Sequence, residues 1–283
     1  MNEGGAQEAV NAARVCRLLG KTRAGYYKQR KARQRLAVDE DFIIEQVKSQ
    51  RQIHPRMGCR KLRVVCAEAL QKAQLSIGRD RFFGLLSRRS MLVPKLKTFT
   101  PRTTRFDRAL PVARNLVRDL EVTGKNQVVV ADLTYVRTDE GFLYLSLIMD
   151  GFTRKAVGWN AGDTLETEGC LLALEMAEEE LLKGVSRPIH HSDRGCQYGS
   201  HLYRERLEEL GIKCSMTEEL HCYENAMAER LNGILKQEYG LGCVFATKKL
   251  ALLAIAQAIY IYNELRPHEA LGYKTPAEVH RAA

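Results

Sequence analysis

The feature that most restricts how this chain folds is a change of hydrophobic period near residue 124. Before it, apolar residues recur at helical spacing. After it come three apolar, β-rich runs, VVVADLTYV (128–136), FLYLSLIMD (142–150) and KAVGWNAG (155–162), with turn signals at Gly141 and Gly151. Three such runs predict a meander. A helix is expected at 164–184, capped by Thr164, acidic early and stopped at Gly184. A short strand ending at Asp193, a helix at 200–210, a strand at 212–217, a helix at about 224–239 and an amphipathic helix at 247–265 follow. The order β-β-β-α-β-α-β-α predicts an α/β fold, a mixed sheet flanked by helices.

The part before residue 124 reads as all-α. Residues 9–19 and a short helix capped by Thr22 and ending at Tyr27 give a helix-turn-helix-like segment over 1–38. Helices at 41–50, at 59–72 behind Gly58 and at 79–90 behind Gly78 make a small helical DNA-binding domain over 39–94. Residues 95–123, basic and broken by Pro101 and Pro111, form a linker that also lies on DNA, and 124–283 is the catalytic core with its C-terminal helix.

Charge divides the chain in the same place. Of a net +10 over 283 residues, positions 1–123 hold 27 Lys and Arg against 11 Asp and Glu, and positions 124–283 hold 17 against 23. A basic helical half is the electrostatic footprint of a polyanion, because each neutralised phosphate releases condensed counterions. Double-stranded DNA is the expected partner. Candidate contacts are Arg60, Lys61, Arg63, Arg79, Arg81, Arg88 and Arg89 on the helices and Arg102 and Arg105 in the linker, against the plainer reading of solvated helix surface. Eight cysteines without a CxxC pair give no support for structural zinc. Without an apolar run of about 20 residues or a signal-like N-terminus, the reading is no membrane span and a cytoplasmic, nucleoid-associated protein with reduced thiols.

Three acidic residues carry the chemistry. Asp132 interrupts an apolar strand, Asp193 follows the apolar end of another, and Glu229 sits on a helix with polar neighbours; sixty residues separate the first two and thirty-five the second two. Mg²⁺ takes hard oxygen ligands and is held by a few carboxylates plus substrate phosphate. Two ions about 4 Å apart clamp the attacking and leaving oxygens of an in-line displacement. The reading is two Mg²⁺, with Mn²⁺ able to substitute. Asp132 bridges them, Asp193 holds one and Glu229 the other. On the Glu229 face, Asn225 would orient a metal water or a phosphate, Lys236 would bind DNA backbone and Asn232 would be a supporting residue, against the plainer reading of Asn232 and Lys236 as polar helix surface. His191 and Ser192 would set the Asp193 rotamer or approach DNA. Asp150, at the end of its strand, reads as structural, holding a turn.

At these residues the chain resembles the transposases of the insertion-sequence-3 family, specifically the second-frame product with its DDE integrase core. ADLTYV resembles the family's first-Asp motif, HHSDRGCQY its second, SMT…CYENAMAER its third, and YNELRPHEALGYKTPAE (262–278) its closing motif. The resemblance spans roughly residues 40–280, and IHPRMGCRKLR (53–63) is similar to the small helical domain before the core. Departures are Met57 for the usual aromatic, Val129 for the usual Trp and Glu224 for the usual Asp; none is a metal ligand. The resemblance implies an RNase H-like fold, binding to transposon terminal inverted repeats, and Mg²⁺-dependent 3′-end cleavage and strand transfer, commonly through a figure-eight and an excised circle. It also implies at least a dimer when ends are paired, and an upstream-frame protein or fusion as partner. A DNA-binding protein with an inert core is opposed by the intact carboxylates, and a sequence-tolerant nuclease by the large basic half.

Overall fold

The computed structural model describes residues 16–18, 20–94, 112–183, 187–218 and 225–283. Its first long element, α1 (Arg23–Ile53), runs for 31 residues. Thr22 caps it as expected, its hydroxyl accepting from the Gly25 N–H at 3.1 Å. The short helix ending at Tyr27 and the helix at 41–50 are therefore one element, which runs through residues 38 and 39. The cause is local: from Tyr26 to Ile53 no glycine or proline interrupts a stretch rich in Lys, Arg, Gln and Ala. Only Ile43, Ile44 and Val47 of α1 are buried, against α2 (Cys59–Lys72) and α3 (Arg79–Arg88). Gly58 and Gly78 precede α2 and α3 as expected. The helix expected at 9–19 and residues 95–111 of the linker lie almost wholly outside the described residues. No helix among the described residues is long and apolar enough to cross a membrane.

The three β-rich runs form β1 (Val128–Thr138), β2 (Gly141–Asp150) and β3 (Ala156–Gly162), an antiparallel meander. Helix α4 (Thr167–Leu181) leads to β4 (Ile189–Ser192), parallel to β1. Helices α5 (Cys196–Gly199) and α6 (His201–Glu209) lead to β5 (Lys213–Met216), parallel to β4. The sheet order is β3-β2-β1-β4-β5, so β1 is central. Helix α7 (Ala226–Glu238) precedes β6 (Val244–Phe245), which pairs with the far end of β1, and α8 (Lys248–Glu264) follows.

Alternation along β1 builds two cores. Val128, Val130 and Val136 pack with α7 and α8, while Val129 and Ala131 pack with α4 and α6. A mixed sheet with five strands in this order and β6 added at the end of β1, covered by helices on both faces, is the RNase H-like architecture. The helix expected from Thr164 begins at Thr167 with Glu166 as its cap residue. Gln197 Nε2 donates to the Leu165 carbonyl at 2.8 Å and holds that residue outside the helix. Gly184, the expected stop, lies outside the described residues. Asp150 is buried and structural, accepting from Asn126 N–H (2.7 Å), Thr153 N–H (2.6 Å) and Thr153 Oγ1 (2.7 Å) across the turn into β3.

At Gly158 the β3 backbone approaches α4 so closely that a Cβ would lie 2.2 Å from the Ala173 carbonyl oxygen and 2.8 Å from Ala177 Cβ. Gly158→Ala should therefore destabilise the core by about 1–3 kcal/mol, the usual cost of overpacking. Urea unfolding followed by circular dichroism measures this; an unchanged midpoint would show that α4 yields freely.

Candidate active site

The site begins with strand register. β1 and β4 pair from Val128 with Ile189 to Ala131 with Ser192. Asp132 and Asp193 are the next residue on each strand. The ladder therefore stops where two carboxylates stand side by side, and β1 is taken up again by β6 only at Arg137 and Thr138. Helix α7 closes the gap. Asn225 Nδ2 donates to the Ala131 carbonyl (3.0 Å) and Asn232 Nδ2 to Asp132 Oδ2 (2.7 Å). Glu229, exposed, lies between these anchors on the same helix. A crevice beyond the carboxyl ends of parallel strands is where open α/β sheets bind ligands.

The carboxylates feel one another. Burial first, then the Asp193 charge, pushes the Asp132 carboxyl up to about 7, against the pull of its bonds from Asn232 and the Leu133 N–H (2.9 Å); Glu229 adds a smaller push. Burial and then Asp193 also raise Glu229. Asp193 is fixed by the Gly195 N–H, which donates to its Oδ1 at 3.0 Å. A Cβ at position 195 would sit 2.9 Å from that oxygen. Arg194 ties the same turn to the segment just after β5 through the carbonyls of Thr217 (2.6 Å) and Glu218.

Among the described residues no three His, Cys, Asp or Glu side chains form a ready metal cage. The donor set nevertheless fits a hard cation that keeps waters and is completed by phosphate: three mutually repelling carboxylates flanked by Asn225 Oδ1 and Asn232 Oδ1, both buried and without a partner among the described residues.

Several expected site residues are placed differently. His191 is buried with Nδ1 2.9 Å from Ser215 Oγ, and Ser192 is buried with Oγ donating to the Asp193 carbonyl (3.1 Å), so neither is exposed for an approach to DNA, while Ser192 touches Asp193 itself. β4 is covered on both faces, so its side chains have no solvent side. Asn225 is buried, with its Nδ2 bonded to the β1 backbone and its Oδ1 without a partner among the described residues. The Lys236 ammonium rests 4.4 Å from the centre of the Tyr135 ring, and burial lowers its pKa although Asp132 opposes this. Lys61 turns to Glu238 of the core at 3.4 Å.

The remaining expected contacts lie on the helical unit. Arg60, Arg63 and Arg79 line a cavity of about 670 Å³ there, beside Phe82 and Phe83. Arg79, Arg81, Arg88 and Arg89 are exposed; Arg79 is paired with Asp80 (2.9 Å), Arg88 with Glu40 (3.0 Å) and Arg89 with Asp41 (2.6 Å). Arg102 and Arg105 lie outside the described residues. The sequence reading missed Gly195, although Asp-Arg-Gly is a recognisable Asx-turn signal. It also missed the buried Glu238–Arg266 pair, for which no local signal exists.

Because Asp132 is raised, its charge penalises the metal-free fold. That penalty is absent below the unfolded-chain value near 4 and complete above about 7. Asp132→Asn, with the Asn232 amide rotated to accept its new N–H, should thus stabilise the metal-free protein at pH 8 by at most about 4 kcal/mol, at roughly 1.4 kcal/mol per pKa unit. The gain should vanish by about pH 4. Chemical unfolding of both proteins across pH measures this; a variant less stable than wild type at pH 8 would refute the raised carboxyl.

Comparison with known proteins gives consistent matches. The sequence pattern of the integrase core domain matches residues 122–222, and a second integrase core pattern matches residues 210–276. A 31 kDa protein of insertion element IS600 from Shigella sonnei is 35% identical over 269 residues, covering 93% of this chain and 96% of its own length. The transposase InsF for insertion sequence IS3A of Escherichia coli (strain K12) is 29% identical over 276 residues, 93% of this chain and 92% of its own. Among solved structures, the HTLV-2 integrase catalytic core domain in complex with magnesium is similar at 21% identity and a TM-score of 0.44, covering 59% of this chain and 99% of that one.

Proposed function

We propose that this chain, which belongs to the insertion-sequence-3 family of transposases and carries an integrase core, binds the terminal inverted repeats of its element and cuts and joins DNA with Asp132, Asp193 and Glu229. The observation that carries this reading is the register at which β1 and β4 stop pairing, with Asp132 and Asp193 adjacent and Asn232 of the Glu229 helix bonded to Asp132. Asp132 would bridge two divalent cations, Mg²⁺ or Mn²⁺, with Asp193 on one and Glu229 on the other. When bound, they would supply Lewis-acid polarisation of the scissile phosphodiester and a lowered pKa for the attacking hydroxyl.

The protein's own contribution is positional. Asn232 fixes the Asp132 rotamer, the Gly195 N–H fixes that of Asp193, and Asn225 locks the start of α7 to β1. The two reactions are in-line displacements at phosphorus. In the first, water replaces a strand and frees a 3′-OH at the element's end. In the second, that 3′-OH replaces a strand at another phosphodiester, with no covalent protein intermediate. The basic helical unit, through Arg60, Arg63, Arg79, Arg81, Arg88 and Arg89, would hold the DNA backbone. Pairing two ends would require at least two protomers, with an upstream-frame segment as a further partner.

The test is a strand-transfer assay on labelled DNA carrying the element's ends, with Mg²⁺. Asp132→Asn, Asp193→Asn and Glu229→Gln should each bring joining to background while end binding by gel shift is retained. Joining by a pure Glu229→Gln preparation would remove Glu229 from the chemistry. Asn232→Ala should lower the joining rate by about 10–100-fold, the usual effect of losing a group that orients a metal ligand, without changing end affinity. An unaffected rate would mean that the 2.7 Å bond does not set the Asp132 geometry.

A further inference from the structure

On the flank of α7 away from Asn232, a cavity of about 360 Å³ opens between the helical unit, the β2–β3 turn and the C-terminal segment. Four cationic side chains line it: Lys61 of α2, Arg154 of the turn, Arg230 of α7 and Arg266 after α8. We infer that this cavity is a phosphate-binding site, taking a phosphodiester of the DNA strand that passes the carboxylates on the other flank of α7. The inference rests on the proposed DNA-joining activity only for the source of the phosphate.

The charges around the cavity do not balance. Behind the lining, Glu238 serves both Lys61 (3.4 Å) and Arg266 (2.8 and 2.9 Å), and Glu269, the carboxylate in the lining, lies 3.6 Å from Arg60. Arg266 is only 1% exposed, yet its Nη1 has no hydrogen-bond partner among the described residues, and neither has the buried Nε2 of His268 beside it. A guanidinium donor left unmet at such depth costs more than an exposed one, and an anion would satisfy it. Burial first, then the charges of Arg266, Lys61 and Arg154 against the opposing pull of Glu238, depresses His268 to about 3 and keeps its ring neutral.

Arg154 makes the same point from the backbone. It adopts φ +65°, in the left-handed region uncommon for a side chain of this size, and its Nη1 donates to the Met227 sulfur, a weak acceptor. A guanidinium held there at conformational cost has no carboxylate or carbonyl acceptor among the described residues. Planar guanidinium forks match phosphate better than a lone ammonium does. Tyr262 and Met227 supply an apolar wall, and the volume suits a phosphate with its sugar. Arg230 directly follows Glu229, so a strand engaged there would lie one helix width from the reacting phosphodiester.

The test uses the full chain without divalent metal, in two arms. Inorganic phosphate at constant ionic strength should raise the thermal unfolding midpoint saturably and beyond chloride. In Arg154→Gln and Arg230→Gln the phosphate affinity should fall about tenfold, as for a lost charge-assisted bond. Arg266 stays intact, because removing it would leave Glu238 buried and uncompensated. In the second arm, the slope of log affinity for end DNA against log salt should become shallower by about one in each variant. Phosphate binding with an unchanged DNA slope would keep the site and assign it to a free phosphate ligand. No response beyond chloride together with an unchanged slope would overturn the inference. Neither arm depends on strand joining, so an inert Glu229→Gln variant leaves this test unaffected, and a failure here leaves the three carboxylates unaffected.

Discussion

Two carboxylates placed side by side at the end of a parallel strand pair repel each other, and much of the core serves to keep them there. Four consecutive register positions between β1 and β4 fix the backbones, and the pairing ends where Asp132 and Asp193 begin. Separate devices then hold each side chain: the Asn232 amide and the Leu133 N–H on Asp132, the Gly195 N–H on Asp193. The cost appears as an Asp132 carboxyl raised to about 7, by burial and then by its neighbour's charge. A site arranged this way stores unfavourable electrostatics that binding of positive charge relieves. The same geometry that weakens the free protein thus strengthens its hold on cations.

Helix α7 couples this site to the basic half. Glu229 lies near its start and Glu238 at its end, nine residues apart, or about 13 Å along the axis at 1.5 Å per residue. Glu238 accepts two bonds from Arg266 and one from Lys61, while His54 of the helical unit meets the hydroxyl of Tyr239 at 3.2 Å. Burial alone would raise Glu238, but these bonds outweigh it and hold the carboxyl below its ordinary value. A buried pair of this kind adds little net stability relative to an apolar contact, and removing one partner leaves an uncompensated charge. Its effect is orientation: the unit that carries Arg60, Arg63 and Arg79 is registered against the helix that carries Glu229.

How far the sequence could be read follows from the range of the signals. The meander, the turn held by Asp150 and the Thr22 cap were legible because each depends mainly on residues a few positions apart. The continuity of α1 was not, because its exposed first half has no apolar period, and helix formation there follows from the propensity of Lys, Arg, Gln and Ala alone. The expected approach of His191 and Ser192 to DNA misled for a different reason. Alternation separates an inner from an outer face only when a strand has one, and β4 is buried on both sides. Lys61 finds Glu238 across 177 residues, a distance at which spacing carries no signal.

The closing segment, which the sequence offered only as a resemblance, has a physical explanation in the same terms. The Asn263 side chain accepts from the Ala156 N–H and donates to the Ala156 carbonyl, both at 2.9 Å, and so satisfies the start of edge strand β3 much as a neighbouring strand would. Tyr262 reaches the Arg154 carbonyl at 2.9 Å and fixes the turn before β3. Arg266 completes the Glu238 pair, and Thr275 with Glu278 forms a capping box that starts α9 (Pro276–Ala282) with Pro276 in its first turn. Within α9, His280 Nε2 lies 2.7 Å from Glu180 of α4 and its Nδ1 2.9 Å from Thr153, the residue bonded to Asp150. The last twenty residues therefore act as a strap joining α8, α4 and the β2–β3 turn. Since that turn carries Arg154 and the strap carries Arg266, the two guanidiniums beside α7 are positioned by contacts that also close the core.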